Sequence, residues 1–199
     1  MKNKIRLIHL HHFLFENYQA IKKILLYDPH LENLYQYSPS TFKTTFQMTS
    51  KAAEKLYDQL HSTSIFDILK ESYKKNIKII TIYDDVYPDL LREIYDPPFV
   101  LYLKGNQNIL NKQFMLSIIG ARKPTSFAKI ICDSLILGLI RENCVIVSGM
   151  ASGCDSIAHH SAIFHNGKTI AVVGCGLDYI YPKENRNLFN EITLNHLVI

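Results

Sequence analysis

Glycine is missing from the first 104 residues; all eight glycines lie between Gly105 and Gly176. That composition shift marks a boundary: the patterns before it read as helices, and the glycine turns all follow it. Other absences exclude whole classes. No run of apolar residues approaches the length of a membrane span, and the basic start Met-Lys-Asn-Lys is followed by an apolar stretch broken by His9, His11 and His12. Cys132, Cys144, Cys154 and Cys175 show no Cys-x-x-Cys spacing, which points to reduced, buried thiols and a cytoplasmic protein. There is no Gly-x-x-x-x-Gly-Lys-Ser/Thr and no Gly-x-Gly-x-x-Gly after a strand, which sets aside P-loop nucleotide hydrolysis and dinucleotide binding. No metal or cofactor is expected: His11 and His12 point to different helix faces, and no carboxylate or cysteine nearby completes a ligand set.

What is present divides at about residue 76. Residues 1–76 carry 11 Lys and Arg against 7 Asp and Glu, whereas residues 77–199 carry 11 of each, so the net charge of +4 sits wholly in the first part. That part is predicted to be a small all-helical domain, with helices near Ile5–Phe15, Tyr18–Tyr27, Ser50–Leu60 and Ser64–Lys75 and breaks at Asp28-Pro29 and Ser38-Pro39. Residues 77–199 are predicted to form an α/β domain with strands at Lys78–Ile82 and Phe99–Leu103. The prolines before the second strand, Pro97 and Pro98, are places where a cis bond is possible.

Three strand-glycine-helix units follow. Met115–Ile119 runs into Gly120-Ala121-Arg122-Lys123, with Thr125 or Ser126 to cap the next helix. Val145–Val147 runs into Ser148-Gly149-Met150-Ala151-Ser152-Gly153, with Asp155 read as a helix N-cap. Thr169–Val173 runs into Gly174-Cys175-Gly176. Right-handed crossovers between such units build a parallel sheet whose carboxyl edge gathers all three turns, where helix amides favour phosphate. Arg122 and Lys123 stand on that edge, and Tyr181-Pro182-Lys183 adds a cation and an aromatic face. Asp155 and His159 are read as a helix-start pair rather than a catalytic one. Ser148 lacks the Gly-x-Ser-x-Gly context of a nucleophile. A last helix is expected over Glu184–Asn195, and Leu197-Val198-Ile199 reads as the start of a further buried strand.

The ordered motifs Tyr87-Pro88-x-Leu90-Leu91, Asp96-Pro97-Pro98, Ile119-Gly120-Ala121-Arg122, Ser148-Gly149-Met150-Ala151-x-Gly153-x-Asp155-x-x-Ala158-His159 and Gly174-Cys175-Gly176-Leu177-Asp178-x-Ile180-Tyr181-Pro182 resemble those of the DNA-processing protein A (DprA, also called Smf) family. The resemblance implies an extended Rossmann-like domain behind a small helical domain. It also implies a non-enzymatic protein of natural transformation that binds incoming single-stranded DNA, protects it and helps to load the RecA recombinase. In the family the Gly-Ser-Arg turn and the Lys of the Tyr-Pro-Lys turn contact DNA; they fall here on Gly120, Arg122 and Lys183. The candidate nucleic-acid-binding set is Gly120, Arg122, Lys123, Ser148, Gly149, Gly153, Gly174, Gly176 and Lys183.

Ala121 departs from the family's serine and removes one phosphate donor. The family pattern continues past residue 199 with a Phe-Pro-x-Arg-Asn-Arg segment and the surfaces for self-association and RecA contact. The Rossmann-like sheet is therefore expected to be incomplete at its C-terminal end; RecA contact and self-association are expected of the family through surfaces that lie past residue 199. Two other readings stand beside this one: a Rossmann-like hydrolase of nucleotide phosphates, which would need a carboxylate free at the strand edge, and an inactive fragment.

Overall fold

The computed structural model of the protein describes residues 2–112 and 114–199. They form two compact units: the chain up to Lys74 together with Ile79–Leu101, and Lys75–Lys78 together with Tyr102–Ile199.

The first unit is built from α1 (Lys2–Leu14), α2 (Tyr18–Tyr27), α3 (Pro39–Thr44), α4 (Ser50–Ser62), α5 (Ile65–Lys74) and the single turn α6 (Asp89–Arg92). Leu7 and Leu10 of α1, Ile24 of α2, Phe42 of α3 and Leu56 of α4 are all buried. Each such side chain contributes about 1.5–3 kcal/mol of gross transfer free energy. Tyr37, Phe42 and Phe46 meet with ring centroids 5.4–5.9 Å apart. Helix starts are set by side-chain caps: Asn17 accepts from the Ala20 amide, Ser38 from Thr41 and Thr49 from Ala52. The break expected at Ser38-Pro39 is present, and a short helix not predicted from sequence, α3, begins there. Pro39 occupies the first helical position, where its missing N–H costs nothing, so the pair starts a helix.

From sequence the boundary falls between residues 76 and 77, yet Ile79–Leu101 belongs to the helical unit. Specific contacts draw it there. Lys4 Nζ lies 2.7 Å from Asp84 Oδ1 and Lys22 Nζ 2.8 Å from Asp96 Oδ1. Tyr83 donates its hydroxyl to the Pro29 carbonyl at 2.6 Å, and Tyr18 stacks on Phe99 at 4.7 Å. Two carboxylates of this segment, Asp84 and Asp96, are thereby matched by lysines of the helices.

β1 (Lys78–Thr81) falls, but for Lys78, in the first unit; in the second unit the strand order is β2 (Val100–Gly105), β6 (Leu197–Val198), β5 (Lys168–Ala171), β4 (Val145–Ser148), β3 (Met115–Ser117). β3, β4, β5 and β6 pair in parallel, with Leu116 opposite Ile146, Ile146 opposite Thr169 and Ile170 opposite Leu197. β2 runs antiparallel to β6, Lys104 opposite Val198. This is the Rossmann-like α/β sheet expected, with an antiparallel member added. The crossovers are α7 (Ser126–Arg141), α8 (Cys154–Phe164) and α9 (Arg186–Asn195). Ile136, Cys144, Ile146, Ala158 and Ala162 form one core cluster; Met150, Ala171, Leu188, Phe189, Ile192 and Val198 belong to another. Among the described residues no helix is long and apolar enough to cross a membrane.

Candidate nucleic-acid interface

Because β3, β4 and β5 are adjacent and parallel, their carboxyl ends deliver the turns at 120–123, 148–153 and 174–176 to one edge of the second unit. The first two turns are locked together. Gly153 takes φ +86°, and a Cβ there would stand 2.3 Å from the Ala121 carbonyl oxygen and 2.5 Å from that of Arg122. The Cys154 amide, first of α8, donates to the Ala121 carbonyl at 3.0 Å. Ser148 is buried, and its hydroxyl donates to the Ile118 carbonyl at 2.6 Å. The Ser148 side chain therefore ties β4 to the end of β3 and does not present a donor at the surface.

Asp155 is not the N-cap read from sequence. Gly153 holds that position, and the buried Asp155 carboxylate reaches backwards, Oδ2 accepting from the amides of Gly149 at 3.1 Å and Ala151 at 3.3 Å. A Cβ on Gly149 would meet this same oxygen at 2.9 Å, and one on Gly120 would meet Cys154 Sγ at 2.6 Å. The amides expected to cradle phosphate are thus partly used within the protein: Cys154 by Ala121, Gly149 and Ala151 by Asp155. His159 packs below, fully buried, with Nδ1 2.7 Å from Thr169 Oγ1, which in turn donates to the Ile146 carbonyl. Burial, followed by the neighbouring His160 and His196, lowers its pKa to about 3, so it is a neutral core residue at physiological pH.

The cations are placed differently. Arg122, Lys123 and Lys183 are all exposed. Among the described residues no carboxylate lies within ion-pair distance of any of the three, whereas Lys75 of the same unit is held by Asp178 at 2.6 Å. The Lys183 turn is fixed to the central one by contacts that no local pattern signals. Ser152 Oγ donates to Glu184 Oε1 at 2.7 Å, and the buried Asn185 donates through Nδ2 to the Met150 carbonyl at 2.8 Å. Tyr181, joined to Pro182 by a cis peptide bond, is 60% exposed. Tyr179, which sequence reasoning did not single out, is 57% exposed.

Gly174 and Gly176 belong to the third turn, and both are exposed. A Cβ on Gly176 would meet Asp178 Oδ1 at 3.0 Å, whereas one on Gly174 would meet nothing within 4 Å, and Gly174 does not have the positive φ that favours glycine. Nothing among the described residues therefore calls for glycine at 174. Gly174→Ala is expected to leave the unfolding free energy in urea within about 0.5 kcal/mol of the parent while weakening nucleic-acid binding severalfold. Equal binding by parent and variant in a fluorescence titration would remove Gly174 from the interface.

Residues 78–199 match the family model described as DNA recombination-mediator protein A. The chain is 35% identical to protein Smf of Synechocystis over 182 residues, which is 90% of this chain and 46% of that protein. It is 44% identical to the DNA processing protein DprA of Streptococcus pneumoniae over 119 residues, 60% of this chain and 42% of that protein. The X-ray structure of S. pneumoniae DprA superposes with a TM-score of 0.79 at 33% identity, covering 100% of this chain and 67% of that one. A structure of DNA processing protein A from Helicobacter pylori, described for its single-stranded DNA binding mode, matches 61% of this chain and 54% of its own at 34% identity and a TM-score of 0.53. The chain belongs to the DNA recombination-mediator protein A family. It spans about half the length of the curated relatives it matches.

Proposed function

We propose that this chain binds single-stranded DNA along the carboxyl edge of its parallel strands, in the DNA-processing role of its family. The observation that carries the proposal is the set of three exposed cations, Arg122, Lys123 and Lys183, without an ion-pair partner among the described residues and set on turns whose backbones are fixed to one another. Arg122 offers a planar fork to phosphate oxygens and the lysines offer point charges. Tyr179 and Tyr181 supply faces on which bases stack without regard to sequence. Protection of incoming DNA follows from such a grip. Assistance to RecA loading is the further role that the family resemblance implies.

The edge does not suit hydrolysis of a nucleotide phosphate. Asp155 is buried and holds two amides, and Glu184 accepts from Ser152, a contact that holds its carboxyl below the usual range. The carboxylate that a hydrolase would need free at the edge is engaged in both places.

Fluorescence anisotropy with labelled oligonucleotides over a salt series tests the reading on Arg122→Ala, Lys183→Ala and the double variant. A charge-assisted hydrogen bond is worth about 1.5–3 kcal/mol, so each single variant is expected to bind about tenfold or more weakly at low salt. The slope of log K against log salt is expected to fall by about 0.7 for each phosphate no longer neutralised, equally for all sequences. Folded variants that bind with the parent's affinity and slope would rule the site out.

A further inference from the structure

The strand-end turns are not the only cationic feature of the second unit. Divided by structure rather than at residue 76, the charge surplus changes place: the second unit holds 11 Lys and Arg against 6 Asp and Glu, and the helical unit 11 against 12. Part of that surplus lines a cleft of about 680 Å³ at the opposite, amino edge of the parallel strands, where β5 begins at Lys168 and β2 ends at Gly105. Its volume is that of a small-molecule site. The frame is fixed. Gly105 takes φ +110°, a Cβ there would stand 2.3 Å from the His196 carbonyl oxygen, and the Asn106 amide donates to that same oxygen at 2.7 Å, so the end of β2 is held against the end of α9. Lys104 and Lys168 line the cleft with Asn76, Asn106, Thr193 and Asn195, and neither lysine has an ion-pair partner among the described residues. Asp178 lies in the field of Lys104, but Lys75 already holds that carboxylate at 2.6 Å.

We propose that this cleft binds the polyphosphate group of a small anion. Two ammonium groups in one cleft call for a ligand with more than one negative charge, and lysines serve phosphate oxygens as point charges. Asn106 Oδ1 accepts from the Asn108 amide at 3.1 Å, which leaves the Nδ2 group as a donor to a ligand oxygen. The last carbonyls of α9 oppose an anion with about half a negative charge, which the two full positive charges of the lysines outweigh. No aromatic side chain lines the cleft among the described residues, so a base finds no face to stack on and recognition falls on the phosphates. The site goes beyond the DNA-binding reading and uses none of its residues.

Calorimetric titration of the 199-residue protein with inorganic tripolyphosphate, in a low-salt buffer free of phosphate, tests this. The parent is expected to bind with a submillimolar Kd. Lys104→Gln and Lys168→Gln should each weaken binding about fivefold or more while leaving the thermal midpoint of the unliganded protein unchanged. The double variant Arg122→Ala with Lys183→Ala, which disarms the strand-end turns, should bind as the parent does. A nucleoside triphosphate should match tripolyphosphate, because the base makes no contact, and a tricarboxylate should bind more weakly. A parent that shows no binding at millimolar tripolyphosphate would overturn the proposal, as would lysine variants that bind with parental affinity. Binding abolished by the Arg122 and Lys183 changes would place the ligand at the carboxyl edge instead and equally overturn it. A tricarboxylate that binds as tightly as tripolyphosphate would overturn the assignment to phosphate.

Discussion

Gly153→Ala is expected to cost about 3–5 kcal/mol of stability and to abolish DNA binding at the strand edge. The residue takes φ +86° and ψ −126°, a region essentially closed to side chains, and that alone costs about 1–3 kcal/mol. The Cβ would also lie 2.3 Å from the Ala121 oxygen and 2.5 Å from both the carbonyl carbon and oxygen of Arg122. All three are backbone atoms, so no rotamer change relieves the overlap and the 120–123 turn must move. Movement there breaks the bond from the Cys154 amide to Ala121 and carries Arg122 with it. Urea unfolding and oligonucleotide titration on the same variant check both halves of the expectation. Parental stability in Gly153→Ala would mean that the two turns do not pack as described.

Acid is expected to unfold the protein at pH values where ordinary carboxylates are still ionised. His159 has a folded-state pKa of about 3 because burial disfavours its charged form, against 6.5 for the exposed ring. Between those values the unfolded chain binds a proton that the folded one refuses. The stabilisation is complete above about pH 6.5 and is lost as pH falls toward 3, at about 1.4 kcal/mol per unit. By pH 5 that is about 2 kcal/mol from this residue alone. His196 in the same unit is lowered by burial and then by Lys168. In the helical unit, burial and then His12 hold His11 down to about 4 and also lower His9. Thermal midpoints at about pH 7.5, 6 and 5 should therefore decline steadily. His159→Gln, which cannot take the proton, should begin lower at the highest pH and decline less. A parent midpoint that is flat across this range, or a variant with the parental slope, would contradict the assignment.

The strand-glycine-helix units were legible because each combines a β-branched or apolar run with glycine and a capping residue within a dozen positions. Thr125 caps α7 as the pattern allowed, its side chain accepting from the Ala128 amide. Asp155 was misread because a carboxylate near a helix start can satisfy amides ahead of it or behind it. Only the path of the 149–153 turn decides, and it returns the Gly149 and Ala151 amides to Oδ2. Helix α3 was missed for a related reason, since a proline that marks a break can also occupy the first position of a new helix. The contacts that fix the Lys183 turn join residues 32 to 35 positions apart and leave no local trace. The assignment of Ile79–Leu101 to the helical unit likewise depends on ion pairs and ring stacking between distant segments. In α7, apolar residues on all sides identified a helix but did not say which side the sheet would cover.

Hydrogen exchange measured by mass spectrometry, with and without a saturating single-stranded oligonucleotide of mixed sequence, tests the binding edge most directly. The account predicts slowed exchange in 120–123, 174–176 and 179–185, with the outer side of α7 and the 193–196 segment unchanged. Protection confined to the helical unit, or to segments away from these three turns, would contradict it.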